Sequence, residues 1–252
     1  MISTSQIKHA KSLHHKKFRD LHDLFLAEGE KIVAELPKSN LFVESVFATS
    51  HWIETNRGIF SAETLIHEAS SKDLERISTL KTPSSVVAVV KKPLIIDDFS
   101  TIAHQPILVL DTIQDPGNLG TIIRTADWFG IKQVVCSRET AELYNPKVIQ
   151  ATMGSFARVN IAYLNLPEFL NRFNGGKTIF GATLKGEPIS QLKPHGDSIL
   201  VIGNESRGIS KEVKPYLTKE IKIPGGQAAK SAESLNAAVA AGILMAWLIV
   251  NI

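Results

Sequence analysis

Three loops in the second half of the chain concentrate residue types suited to holding a ligand. They are DPGNLG (115–120), GNESRG (203–208) and IPGGQAAKSAESLN (223–236), all rich in Gly, Asn and Ser. Glycine reaches backbone angles closed to other residues and lets a ligand approach the main chain, while Asn and Ser shape turns and present amides and hydroxyls. Each loop follows a run that reads as a strand: PILVLD (106–111), SILVIG (198–203) and EIKIP (220–224). In a parallel sheet, ligands bind beyond the carboxyl ends of the strands. Any one of these loops could be an ordinary turn; three at one sheet edge would make a pocket lined with directed backbone groups.

Other chemistries lack their residues. No GxGxxG follows a strand, no GxxxxGK[ST] is present, and neither a GxSxG elbow nor an HExxH pair occurs. The eight histidines are scattered, whereas a metal site needs clustered ligands at defined spacing, so no metal is expected. The single cysteine, Cys136, excludes an internal disulfide and points to a reducing compartment. With 252 residues, 44% apolar, 21% charged and a net charge of +3, the composition is that of a soluble globular protein. That charge is compatible with nucleic acid without arguing for it. The start, MISTSQIKHAKSLHHKKFRD, lacks the apolar core of a secretory signal. The longest apolar run, AAVAAGILMAWLIV, is shorter than the roughly 20 residues of a membrane span. A cytoplasmic protein without a membrane anchor is expected.

The elements that would position these loops alternate strand and helix from residue 105 onward. PILVLD leads through the DPGNLG loop to the helix NLGTIIRTADWFG. KQVVCS (132–137) is a strand, PKVIQATMG (146–154) a helix, and KTIFGAT (177–183) and SILVIG are strands. SKEVKPYLT then reads as a helix, EIKIP as a strand, and ESLNAAVAAGILMAWLIV (233–250) as a final helix. Such alternation predicts a largely parallel α/β sheet covered on both faces. Residues 1–95 read as a smaller α/β unit. It has one basic helix over 5–20, strands in LFLAEG, LFVESVFA and SVVAVVKK, a helix in KIVAEL, and a helix over 70–80 with Ser71 as its cap. The proline- and aspartate-bearing stretch around 93–104 reads as a linker.

The segments LDTIQDPGNLGTIIRTADWFG, VIGNESRGIS and IP…SLNAAVAAGI, in this order and spacing, resemble the three motifs of the SpoU (TrmH-like) family. These are ribose 2′-O-methyltransferases acting on RNA, within the SPOUT class, and the resemblance covers about residues 105–252. KKFRDLHDLFLAEGEKIVAEL and TPSSVVAVV resemble the ribosomal-protein-like RNA-binding domain that precedes the catalytic domain in many members. The resemblance implies a parallel sheet whose C-terminal part forms a deep trefoil knot, with S-adenosylmethionine held there in a bent conformation. Carried over by position, Gly203, Asn204, Gly208, Ile223, Leu235 and Asn236 would contact the cofactor, chiefly through backbone groups around the adenine, and Thr183 is a further candidate at a strand end. The reacting groups implied are Asn118, Arg124 and Glu205. Because a guanidinium stays protonated, Arg124 is best read as a clamp on a phosphate and a stabiliser of the developing alkoxide, with Asn118 and Glu205 orienting the arrangement. Two departures stand out: Gly225 follows Pro224 where the family commonly has Met, and nine residues separate Pro224 from Ser234, which lengthens that loop.

Each residue also has a plainer reading. Asn118 could cap its helix, Arg124 could be a surface residue, and Glu205 could pair with Arg207. Lys16, Lys17 and Arg19, with Lys8 and Lys11, form a basic segment that could bind RNA or be a solvated helix face. The final helix, apolar almost all round at Leu244, Met245, Trp247 and Leu248, suggests a homodimer through the C-terminal domain, as the family implies. The expected function is 2′-O-methylation of RNA, with large-subunit ribosomal RNA favoured over transfer RNA. The alternative is a non-catalytic RNA-binding or ribosome-assembly protein on the same fold.

Overall fold

The computed structural model describes residues 2–93, 105–173, 175–194, 196–225 and 234–250. Most of the expected linker and much of the loop between Pro224 and Ser234 therefore lie outside the described residues. The chain divides into two compact units, one of residues 1–95 with 144–157, the other of residues 96–143 with 158–252.

The first unit is a four-stranded sheet with helices packed on it. Its elements are α1 (Thr4–Ser12), α2 (Lys16–His22), β1 (Leu24–Glu28), α3 (Glu30–Glu35), β2 (Val43–Ala48), α4 (Ser50–Thr55), β3 (Leu65–Glu68), α5 (Ser71–Ile77) and β4 (Val86–Lys91). The strand order is β1-β4-β2-β3, antiparallel except between β2 and β3. Central β4 is a β-branched run buried on both faces. Ile7, Leu13, Phe47, Leu74 and Ile77 share one core with Val87 and Val89.

The expected single basic helix over 5–20 is two helices, because α1 ends at Ser12 and α2 begins at Lys16. The break gives Arg19 a structural task. It is only 2% exposed, and its Nη1 donates to the carbonyls of Leu13 (3.0 Å) and His14 (2.8 Å). Carbonyls at a helix end have no intrahelical donor, so Arg19 caps α1 and does not offer its guanidinium to RNA. Lys8, Lys11, Lys16 and Lys17 remain exposed. In α5 the cap is Ser70, one residue before the expected Ser71.

The second unit begins with β5 (Ile107–Leu110), α6 (Pro116–Trp128) and β6 (Gln133–Cys136). Burial pushes the thiol of Cys136, on β6, well above its ordinary pKa, which leaves it unreactive in the folded chain. After Leu143 the chain crosses to the first unit, where helix α7 (Pro146–Thr152) packs on β1. There Phe25 of β1 meets Tyr144 (ring centroids 4.6 Å apart) and Phe156 (5.7 Å), and the Gln150 side chain donates to the Glu28 carbonyl (2.6 Å). The helix expected over 146–154 thus forms, but in the smaller unit.

Back in the second unit follow β7 (Asn160–Tyr163), α8 (Leu166–Asn171), β8 (Ile179–Pro188), β9 (Ile199–Ile202), β10 (Lys219–Lys222) and α9 (Ala237–Val250). All six strands are parallel, in the order β10-β8-β9-β5-β6-β7. Strands β5 and β9 are buried throughout, as strands covered on both faces must be. The expected helix over SKEVKPYLT is instead a run of turns with one 3-10 turn at Lys214–Tyr216. Pro215 lacks an amide hydrogen and its ring opposes helical geometry in the residue before it. No described helix is long and apolar enough to cross a membrane.

Phe25 is fully buried against two residues that arrive from far along the chain. Phe25→Ala is expected to cost about 3–5 kcal/mol. In denaturant unfolding followed by hydrogen exchange, amides of β1 and of α7 should lose protection together; retention of α7 protection would refute the coupling.

Candidate functional site

Strand order in the parallel sheet reverses between β5 and β9. From β5 the chain steps outward through β6 to β7, and β8, β9 and β10 lie on the other side. This reversal opens a crevice at the carboxyl ends, where ligands of α/β sheets bind. The loops leaving β5 and β9 both start there.

At the end of β5, Asp111 is a buried carboxylate. Its amide donates to the Ile202 carbonyl (2.9 Å), its Oδ2 accepts from the Ser210 amide (2.7 Å), and its Oδ1 accepts from Thr112 Oγ1 (3.1 Å). Thr112 adopts φ 64, a left-handed conformation rare outside glycine, and its carbonyl accepts from Asn204 Nδ2 (2.9 Å). Asp111 and Thr112 therefore pin the 203–210 loop to the end of β5. Sequence reading assigned neither a role. The available signal was an acid closing an otherwise wholly apolar strand.

The 203–208 loop closes on itself. Asn204 and Gly208 exchange backbone hydrogen bonds (3.0 and 2.9 Å), and Asn204 Oδ1 accepts from the amides of Ser206 and Arg207. Gly208 sits at φ +68. At Gly203 a Cβ would overlap the Gly208 carbonyl carbon and the Ile209 nitrogen. The lack of a side chain at Gly203 thus serves the turn's own closure, where the expectation had been room for an adenine.

Helix α6 starts earlier than expected, so most of DPGNLG is helical. Pro116 occupies its first turn and Asp115 caps it, accepting from the Asn118 amide (2.7 Å). Asn118 is thereby released from capping. Its Nδ2 donates to Glu205 Oε1 (2.8 Å) and its Oδ1 accepts from Asn236 Nδ2 (2.9 Å). Asn236 in turn caps α9, its Oδ1 accepting from the amides of Ala238 (2.9 Å) and Val239 (3.3 Å). Three loops far apart in sequence are joined by one line of hydrogen bonds, and Glu205 is held by Asn118.

The other expected residues are placed differently. Arg124 is exposed on α6, and its side chain has no hydrogen bond or ion pair to another described residue. Six residues on a helix turn through about 600°, so Arg124 points roughly 120° away from Asn118. Thr183 is not at a strand end, since β8 runs on to Pro188. It lies where the register of β8 and β10 shifts, and its Oγ1 donates to Glu220 Oε2 (2.9 Å). Ile223 is half-buried just past β10, and Leu235, beside the α9 cap, is 47% exposed. Open apolar side chains next to main-chain groups suit the flat ring of an adenine, and the Glu205 carboxylate suits a cationic ligand. The residues at this edge therefore fit S-adenosylmethionine.

The chain was compared with known proteins. Residues 105–246 match the SpoU rRNA Methylase family, and residues 4–88 match an MRM3-like substrate binding domain. A 23S rRNA (guanosine(2553)-2'-O)-methyltransferase of Bacillus subtilis, RlmP, is 32% identical over 95% of this chain and 94% of its own. A putative RNA methyltransferase of the TrmH family from Porphyromonas gingivalis superimposes with a TM-score of 0.89 at 35% identity over the full length of both chains. An AdoMet-bound rRNA methyltransferase from Sinorhizobium meliloti gives 0.87 at 26% identity, over 100% of this chain and 97% of that one.

Gly203→Ala is expected to spring the 203–208 turn, because the added methyl meets rigid backbone. Hydrogen exchange should show the Ser210 amide losing protection as its bond to Asp111 opens. An unchanged Ser210 amide would contradict the close approach.

Proposed function

The chain belongs to the SpoU rRNA methylase family, and we propose that it methylates a ribose 2′-hydroxyl in large-subunit ribosomal RNA, with S-adenosylmethionine as the donor. The observation that carries this reading is the line of hydrogen bonds from α9 through Asn236 and Asn118 to Glu205, which gathers all three motif loops at the switch point of the sheet. The RlmP relative is named for the same reaction on 23S RNA, and the Sinorhizobium relative is described with AdoMet bound.

Bound S-adenosylmethionine supplies a methyl group already activated on a sulfonium, so no protein group has to make an electrophile. Ile223 and Leu235 would flank its adenine, backbone groups of the 203–208 loop and of Asn236 would direct it, and Thr183 would stand at the margin. What this chain must add is alignment of the ribose and stabilisation of charge as the hydroxyl loses its proton. Arg124 grips the neighbouring phosphate with its planar fork and stabilises the developing alkoxide. Asn118, locked between Glu205 and Asn236, holds the start of α6 in place and so fixes where Arg124 stands. The smaller unit holds the rest of the RNA through Lys8, Lys11, Lys16 and Lys17, whose binding would release counterions and weaken as salt rises.

Arg124 and Asn118 face different ways on α6, which supports a homodimer in which one copy's Arg124 completes the site of the other. The residues first expected to pair, Leu244, Met245, Trp247 and Leu248, are buried within one chain. The surface of α9 that stays open is the stripe Val239, Ile243 and Val250, of which Val239 is 52% and Val250 55% exposed. This stripe is apolar and uncharged, as a self-complementary dimer face would be.

The direct test is incubation of the purified protein and S-adenosylmethionine with 23S RNA lacking its ribose methyls, followed by mapping of 2′-O-methyl positions. Methylation at one defined ribose is expected, and no transfer to this RNA would sink the reading. Arg124→Ala should slow transfer about 10²–10³-fold, with calorimetric affinity for S-adenosylmethionine nearly intact and little rescue by lysine. Cofactor binding lost together with the rate would refute this division of labour. Val239→Glu should shift the mass in light scattering from dimer toward monomer; a monomeric, active parent protein would refute the dimer.

A further inference from the structure

Helix α6 carries a feature that the three motif loops leave unused. Arg124, Asp127 and Trp128 stand at positions i, i+3 and i+4, so they share one side of the helix. Trp128 is 85% exposed, more than any other large apolar side chain among the described residues. Leaving an indole in water forfeits the burial that usually recruits Trp to a fold, so its packing role within this unit is small.

Its surroundings are cationic. The Asp127 carboxylate accepts from Arg158 Nε (2.8 Å) and from Lys132 Nζ (3.2 Å), and both cations keep much of their side chains in solvent, 40% and 48%. Arg124 adds a third positive charge with no partner among the described residues. Arg124 and Asp127 flank Trp128 along this side of α6, and Lys132 and Arg158 join through Asp127, so three cations and one acid share the end of the helix with an exposed indole. The exposed stripe of α9 is the opposite case, apolar and without charge. Interleaved cations and an open aromatic ring suit single-stranded nucleic acid, where the cations track phosphates and the ring stacks on a base of any identity.

We propose that Trp128 is a stacking platform for a base of the substrate RNA, next to the nucleotide whose phosphate Arg124 holds. The proposal rests on the RNA methyltransferase reading above. Arg124 and Trp128 are about 6 Å apart along the helix axis, close enough for one or two nucleotides to engage both. Trp128 is a positioning residue for the ribose: it touches a base and leaves the methyl transfer to other groups.

The test uses full-length Trp128→Ala and Trp128→Phe. With a 23S RNA transcript, the alanine variant should raise KM about tenfold, within the range base stacking contributes, and affect KM more than kcat. Phenylalanine should recover most of the loss. Single-stranded oligouridylate should quench tryptophan emission in the parent protein and lose most of that effect in Trp128→Phe, since Trp52 and Trp247 are buried. Calorimetric affinity for S-adenosylmethionine should not move. Unchanged KM and unchanged quenching would overturn the proposal. So would a fall in the alanine variant's light-scattering mass, which would make Trp128 a contact between copies. If the parent protein fails to methylate the transcript, the functional reading falls, and oligouridylate quenching alone then decides whether Trp128 stacks on RNA.

Discussion

The carboxamide of Asn118 is held between two partners that leave it one orientation. Glu205 offers a carboxylate, which when ionised only accepts, so it must receive the Asn118 Nδ2 hydrogens. Asn236 spends its oxygen on the first amides of α9, so it can only donate to Asn118 Oδ1. The direction of every bond from α9 to Glu205 is therefore set by chemistry at the two ends. Three segments separated by tens of residues are aligned by this one side chain, and the start of α6, hence the position of Arg124, depends on it. Bonds in such a chain polarise one another, so replacing any one amide weakens the others.

Asp111 is the second anchor, and it explains why the 203–210 loop can be short and glycine-rich without being loose. A buried carboxylate needs full hydrogen bonding to be tolerated, and the Ser210 amide and Thr112 hydroxyl supply it. The left-handed Thr112 turns its carbonyl toward Asn204, completing the tie. The strained residue and the buried acid lie at the reversal point of the strand order, where a parallel sheet leaves its crevice. Architecture and site are thus two descriptions of the same few bonds.

Two open surfaces of the second unit differ in kind. The α9 stripe offers apolar area alone and suits an identical stripe. The α6 side offers cations beside an exposed indole. In the first unit, Arg19 is turned inward to cap α1, so the positive charge that α1 and α2 expose comes from Lys8, Lys11, Lys16 and Lys17, which are point charges without a planar fork.

Periodicity and motif order decided much of this protein. The all-apolar runs of β4, β5 and β9 announce strands buried on both faces, and the alternation after residue 105 announces a parallel sheet, because these depend on local patterns that burial imposes on any sequence. The three motif loops were legible in their Gly, Asn and Ser content, and Asn118, Glu205 and Asn236 were singled out by the resemblance of those motifs, in order and spacing, to the SpoU family. Short elements were not. Strand β3 is exposed along most of its length and so carries no burial pattern, β7, α4 and α8 mix polar residues into runs too short to show a period, and the helix read into 210–218 ignored what Pro215 does to its neighbour. Only the tertiary structure settled where side chains point. It turned Arg19 inward, set Arg124 apart from Asn118, tied Thr183 to Glu220, and gave Gly203 to the closure of its own turn. It also carried α7 into the smaller unit, where Tyr144 and Phe156 meet Phe25. Composition gives a residue's chemistry, but its partners come from contacts between segments distant in sequence, and no local pattern encodes those.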